Sequence, residues 1–299
     1  MGAGTWTTSS FADYTVKTKA MSMDDFASAT NMSAQTVYKS RGLSKVLNPY
    51  QVMRECCDSD EHPHTLPVIL ALDVTGSMGQ ASVKVAQKLN EIMTDLYSDA
   101  DVPDIEFCIM GIGDLAYDAA PIQISQFESD IRIAEQLDKI FFEGGGGGND
   151  FESYTAAWYM GVNHCKLDCW NRGQKGIIIT LGDEKPNPYL PIRNRQDGFP
   201  GGIGLKAATG DAHLQGDVET ASLMKEAQEK FDLYHISIND EGCSYAWNNR
   251  NEQLDIAWRN LLGNDNYFIS GLNNLASTIV NIIKDHITNN TTNSNEVSW

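Results

Sequence analysis

Positive charge is what this sequence has least of: 22 Lys and Arg stand against 40 Asp and Glu, a net charge of −18 over 299 residues. No Lys/Arg-rich run gathers the few cations into a patch. That balance opposes binding to nucleic-acid phosphates and to anionic membrane surfaces. Nor is any apolar segment long enough to span a bilayer, and Met-Gly-Ala-Gly-Thr-Trp at the start lacks the apolar stretch of a secretory signal. A myristoylation pattern would need a hydroxyl where Trp6 stands. The expectation is a cytoplasmic protein with neither nucleic acid nor membrane as partner. Cysteine is sparse too. Cys56, Cys57, Cys108, Cys165, Cys169 and Cys243 fit reduced core residues better than a disulfide framework. His164 beside Cys165 and Cys169 invites a zinc reading, but the spacing matches no common zinc motif and helix packing explains it better.

What is present centres on residues 67–79, Pro-Val-Ile-Leu-Ala-Leu-Asp-Val-Thr-Gly-Ser-Met-Gly. Val68 to Leu72 are unbroken apolar residues, which suits a strand buried on both faces. Asp73 ends the run, and Gly76 and Gly79 punctuate a tight turn. Beyond it Val85, Leu89, Ile92 and Leu96 recur at helical spacing. Asp73, Thr75 and Ser77 therefore sit at the carboxyl end of a strand, where open α/β sheets place their ligands. A carboxylate and two hydroxyls on alternate residues offer hard oxygens to one point, the chemistry Mg²⁺ prefers. The plainer alternative is a helix cap, with Thr75 or Ser77 bonding free backbone N–H groups.

Residues 1–66 are more polar than the rest of the chain, and short helices are expected at 22–29 and 34–42. The acidic run at 58–64 reads as a solvated loop. A second buried strand is expected at 105–110, a half-exposed edge strand at 121–127 and a helix at 131–142. Five glycines at 144–148 demand an unusual turn, after which Asn149 and Asp150 open a helix to about His164. A phosphate-binding reading of those glycines fails, because no Gly-Lys-Ser/Thr comes after them and the surroundings are acidic. A third strand at 175–181 delivers Asp183, which taken alone would be a turn residue. Residues 186–212, rich in Pro and Gly, read as a long loop bordering the same edge. Asp217 is expected to cap a helix to 231; a strand at 233–238, a helix at 250–262, a strand at 267–269 and a helix at 272–287 complete the chain. Strands alternating with helices predict an α/β fold: a doubly wound, mostly parallel sheet with helices on both faces.

The Asp-x-Thr-x-Ser motif after a buried strand and before an amphipathic helix resembles the von Willebrand factor A family, in which it opens a metal-ion-dependent adhesion site. The resemblance covers about residues 67–288, with 1–66 as an extension packed on that domain and 289–299 as a disordered Asn/Thr/Ser tail. It implies Mg²⁺ or Mn²⁺ held by Asp73, Thr75 and Ser77, with Asp183 as the distal aspartate. A glycine turn in this place precedes a second loop that usually supplies a threonine. Here Asn149 is the best positional match, with Asp150 and Glu152 as rivals. The phrase of five glycines followed by Glu-Ser-Tyr is similar to a bacterial and bacteriophage branch of the family. In the family a partner's Asp or Glu completes the metal shell, so the implied role is metal-gated protein binding rather than catalysis. Two alternatives stay open. A structural assembly protein would use the metal only to rigidify loops. A Mg²⁺-dependent phosphohydrolase needs a second acid where Thr75 stands, and Lys175 or Lys185 with Asp183 and Glu184 imitates its remaining groups poorly. Oligomeric state is not legible.

Overall fold

The apolar runs become adjacent strands in the computed structural model, which describes residues 5–18, 42–78, 81–99, 102, 104–144, 151–194, 202–239 and 251–296. The central sheet holds β1 (Leu66–Asp73), β2 (Ile105–Ile112), β3 (Ile122–Ile124), β4 (Gly176–Gly182), β5 (Phe231–Ile238) and β6 (Tyr267–Ser270). Their order is β6-β5-β4-β1-β2-β3, parallel except for β3, which runs antiparallel to β2. Every residue of β1, β2 and β4 is buried, as strands covered on both faces must be.

Alternate side chains serve opposite layers. Val68, Leu70 and Leu72 join Ile177, Ile179 and Leu181 in one core, while Ile69, Ala71, Cys108 and Ile178 face the other. The helices are α1 (Thr8–Thr18), α2 (Ala81–Tyr97), α3 (Arg132–Leu137), α4 (Ala156–His164), α5 (Gly204–Thr209), α6 (Thr220–Lys230), α7 (Asn251–Leu262) and α8 (Leu275–Glu296). Leu89, Ile92 and Met93 of α2 and Leu275, Ile279 and Ile283 of α8 close the first core. Trp158 of α4, Leu223 and Ala227 of α6 and Trp258 of α7 close the second. From β1 the chain builds β2 and β3 to one side, then returns to build β4, β5 and β6 on the other. That reversal, between β1 and β4, opens a crevice at the carboxyl ends of the strands.

Residues before the sheet lie against it. Trp6 is buried in the first core and donates its backbone N–H to the Ser129 carbonyl at 2.9 Å. The Tyr14 hydroxyl bonds the Asp138 carboxylate. Arg54–Cys56 adds a short parallel ladder on Cys165–Leu167. The helices expected at 22–29 and 34–42 lie outside the described residues, Gly42 excepted.

Several local expectations are corrected. The helix expected to begin at 149 starts only at Ala156, because Phe151–Glu152 pairs in parallel with Lys185–Pro186. It ends at His164, so Cys165 and Cys169 are not one helical turn apart: Cys165 is in an extended strand and Cys169 in a 3-10 turn. The helix expected at 131–142 shortens to Arg132–Leu137. The edge strand is fully buried, since the Gln123 carboxamide donates to the Phe141 carbonyl and accepts from its N–H, both at 2.8 Å. Asp217 does not cap α6; its Oδ1 accepts the Ile192 N–H at 3.0 Å, pinning 186–194 back. That stretch also contains ordered structure, including Tyr189–Leu190 paired with Val218–Glu219. Helix α8 continues to Glu296, through most of the segment expected to lack order. Once its packed first turns exist, each further residue adds its own hydrogen bond without a new nucleation step.

Candidate metal centre

Asp73 closes β1 and Asp183 directly follows β4, and the register pairs Leu72 with Leu181, so the two carboxylates emerge side by side at the crevice. Both are buried, with relative exposures of 0% and 1%. The turn Gly76–Met78 then folds Thr75 and Ser77 over them. Thr75 donates its hydroxyl to Asp73 Oδ1 at 2.6 Å and its backbone N–H to the same oxygen at 2.9 Å. Ser77 donates to Asp183 Oδ1 at 2.9 Å, and the Thr75 and Ser77 hydroxyl oxygens lie 3.0 Å apart. The four residues read from the sequence are thus brought into one chain of oxygens.

The donor set tests whether a cation fits. A hydroxyl has a single proton. With both carboxylates ionised, Thr75 gives its proton to Asp73 and Ser77 gives its proton to Asp183. The two hydroxyls lie 3.0 Å apart, a contact in which either can donate. Each oxygen of the chain keeps a lone pair to offer, and four hard oxygens suit a small divalent ion. The electrostatics agree. Burial, and then the charge of Asp183, push the Asp73 carboxyl up to about 7, against hydrogen bonds from Thr75 and Tyr154 that pull it down. Among the described residues no three His, Cys, Asp or Glu side chains converge on one point, so the hydroxyls are indispensable to such a site.

Tyr154 is given no role at this site from the sequence alone. It is fully buried, donates its hydroxyl to Asp73 Oδ2 at 2.5 Å and accepts the Glu184 N–H at 3.2 Å. One oxygen thereby joins the acids' two loops from below. Gly182 makes room for it, since a Cβ at that position would stand 2.0 Å from the tyrosine oxygen. A glycine at the strand end immediately before an aspartate was the available signal.

Asn149 and Asp150 lie outside the described residues. Glu152 is described. It is buried, its Oε2 has no hydrogen-bond partner, and burial followed by the charges of Asp73 and Asp114 raises its carboxyl well above the usual range. His164 is no zinc ligand here: its Nδ1 meets the Val52 carbonyl at 2.9 Å and its Nε2 meets Asp211 Oδ2 at 2.8 Å.

No protein-family model and no curated protein matches the sequence. Among solved structures, the chain is similar to the pilus adhesin SpaC from Lactobacillus rhamnosus GG, with TM-score 0.50 and 14% identity over 80% of this chain and 32% of that one. The chain therefore spans about a third of that adhesin's length. Weaker matches include the vWF domain of the type V pili tip protein Mfa5 from Porphyromonas gingivalis, at TM-score 0.44 and 13% identity over 74% of this chain and 94% of that one. Another is proximal thread matrix protein 1 from the mussel byssus with a zinc-occupied MIDAS motif, at TM-score 0.42 and 12% identity over 80% and 46%. With its parallel sheet reversing between β1 and β4 and Asp-x-Thr-x-Ser at the reversal, the fold is that of a von Willebrand factor A domain.

Proposed function

We propose that this domain is a protein-interaction module gated by a divalent cation, Mg²⁺ or Mn²⁺, held by Asp73, Thr75, Ser77 and Asp183. The observation that carries the reading is four hard oxygens gathered in one place: the buried Asp73 and Asp183 carboxylates, with the Thr75 and Ser77 hydroxyls 3.0 Å apart between them. Asn149, which comes directly after the glycines in the sequence, is the proposed further ligand, with Asp150 and Glu152 as its rivals. Two carboxylates balance a divalent ion without filling an octahedral shell, so an Asp or Glu from a partner protein is the proposed final ligand. The adhesin match points the same way by analogy alone.

The test is calorimetric titration of Mg²⁺ and of Mn²⁺ into the chelator-stripped chain. Wild type takes up one ion; Asp73→Ala and Asp183→Ala do not, and their far-ultraviolet dichroism stays that of wild type. Equal uptake by wild type and Asp73→Ala refutes the proposal. If the ion raises the melting temperature but leaves affinity for a captured partner unchanged, the metal serves only to rigidify the loops.

A further inference from the structure

Next to the metal centre is a pocket of about 150 Å³ that none of Asp73, Thr75, Ser77 and Asp183 lines. Asp114, Glu152, Ser153 and Asn187 form its polar walls, with Phe151 and Tyr189 among the apolar ones. Two of the polar groups are occupied by the fold. The Asn187 amide donates to the Thr155 hydroxyl at 2.7 Å and the Tyr189 carbonyl at 3.1 Å, and the Ser153 hydroxyl accepts the Leu115 N–H at 3.0 Å. Glu152 differs. It is 5% exposed, and its buried Oε2 has no hydrogen-bond partner. Asp114, 3% exposed, adds a second carboxylate, whose Oδ1 accepts the Ala116 N–H at 2.8 Å. Lys185, across the short ladder from Phe151, directs its ammonium to Gln253 at 3.3 Å.

Buried carboxylate oxygens are almost always satisfied, and one left without a partner on a residue that lines a pocket is a place for a donor from outside. Among the described residues no three His, Cys, Asp or Glu side chains gather to hold a metal ion, and only two acids line this pocket. An organic cation fits better: its alkyl stem lies along the aromatic wall while its charge meets the carboxylates. We infer that this pocket receives a lysine or arginine side chain of the partner whose carboxylate completes the metal shell. The identity of that partner rests on the metal-bridged reading above, whereas cation binding in the pocket does not. A basic group also resolves a difficulty of steering. A chain of net charge −18 repels an acidic partner at long range and attracts one that carries a cation beside its acid.

The probes are butylammonium and ethylguanidinium, titrated into the full ¹⁵N-labelled chain in chelator, with butanol as the uncharged control. Saturable shifts are expected at the amides of Leu115, Ala116 and Ser153 with the cations and not with butanol. Glu152→Gln should weaken binding by about tenfold or more, the loss of a charge-assisted bond. Tyr189→Ala, which trims a partly exposed wall and leaves the charge, should weaken it several-fold. Asp73→Ala, which removes a charge that acts on Glu152, should not abolish it. The inference is overturned by the absence of saturable shifts, by an equal response to butanol, or by wild-type affinity in both pocket variants. It is also overturned if Glu152→Gln abolishes Mg²⁺ uptake as Asp73→Ala does, because Glu152 would then belong to the metal. Failure of Mg²⁺ uptake in wild type, with the cation shifts intact, removes the metal reading and leaves the pocket.

Discussion

Deleting a single oxygen, Tyr154→Phe, probes how the two acidic loops are held. The phenol donates to the buried Asp73 carboxylate at 2.5 Å and accepts the Glu184 N–H at 3.2 Å. The ring stays in place between His235 and Trp258, so little apolar contact is lost. A hydrogen bond to a charged group contributes about 1.5–3 kcal/mol and a neutral one about 0.5–1.5 kcal/mol, so the variant should lose about 2–4 kcal/mol while Asp73 is ionised. The loss depends on pH, with a definite sign. Asp73 has a carboxyl raised to about 7 in the fold, so it withdraws stability as pH climbs from the unfolded value toward that point. Without Tyr154, which lowers it, the carboxyl rises further and withdrawal continues to higher pH. The gap between variant and wild type is therefore small near about pH 5.5 and widest near about pH 8.5. Urea melts in chelator at these two conditions measure it. A gap that is flat with pH, or below about 0.5 kcal/mol at the alkaline end, refutes the reasoning.

Gly182→Ala places a methyl 2.0 Å from the Tyr154 oxygen, so the tyrosine must move; stability should fall by about 2 kcal/mol or more, and a calorimetric trace with wild-type Mg²⁺ affinity would count against the arrangement. Trp6→Ala should cost about 3–5 kcal/mol in a urea melt, because the indole is 3% exposed within the first core, and a loss under about 1 kcal/mol would detach the N-terminal segment from it. The His286 hydrogen bond, at 2.9 Å, holds the Asp232 carboxyl below its usual range. That contribution is present above the unfolded value and disappears as pH falls through the folded one, below about pH 4. Asp232→Asn should therefore melt earlier than wild type at about pH 7 and close the gap at about pH 3; a gap that widens in acid contradicts the pairing.

The sheet and the four oxygen-bearing residues at its crevice were legible because their determinants are local. An apolar run cut off by Asp73, and a second delivering Asp183, state both the strand and the carboxylate at its end within a dozen residues. What escaped was set by contacts remote in sequence. Phe151–Glu152 is extended only because Lys185–Pro186 lies beside it, a ladder that no periodicity at 149–164 can reveal. Asp217 had every local mark of a helix cap, yet the Ile192 N–H claims its oxygen. Tyr154 looked like a core residue and is one; its hydroxyl becomes functional through the space left at Gly182, on a different strand. Gln123 read as solvent-facing because a buried carboxamide is tolerable only when both its ends are satisfied, and the Phe141 backbone that satisfies them is 18 residues away.

The bond from Ser77 to Asp183 spans 106 residues of chain. It cannot form until β4 has docked in parallel on β1, and parallel pairing across such a loop is among the slow steps by which a sheet of this kind assembles. During synthesis and refolding the Asp-Thr-Ser turn therefore waits without its distal acid, a low-affinity half. The divalent ion proposed above, needing both halves, would have no hold on the chain until that pairing is made. It would then act as a latch on the finished state, lengthening the lifetime of the native domain while leaving the refolding rate as it was.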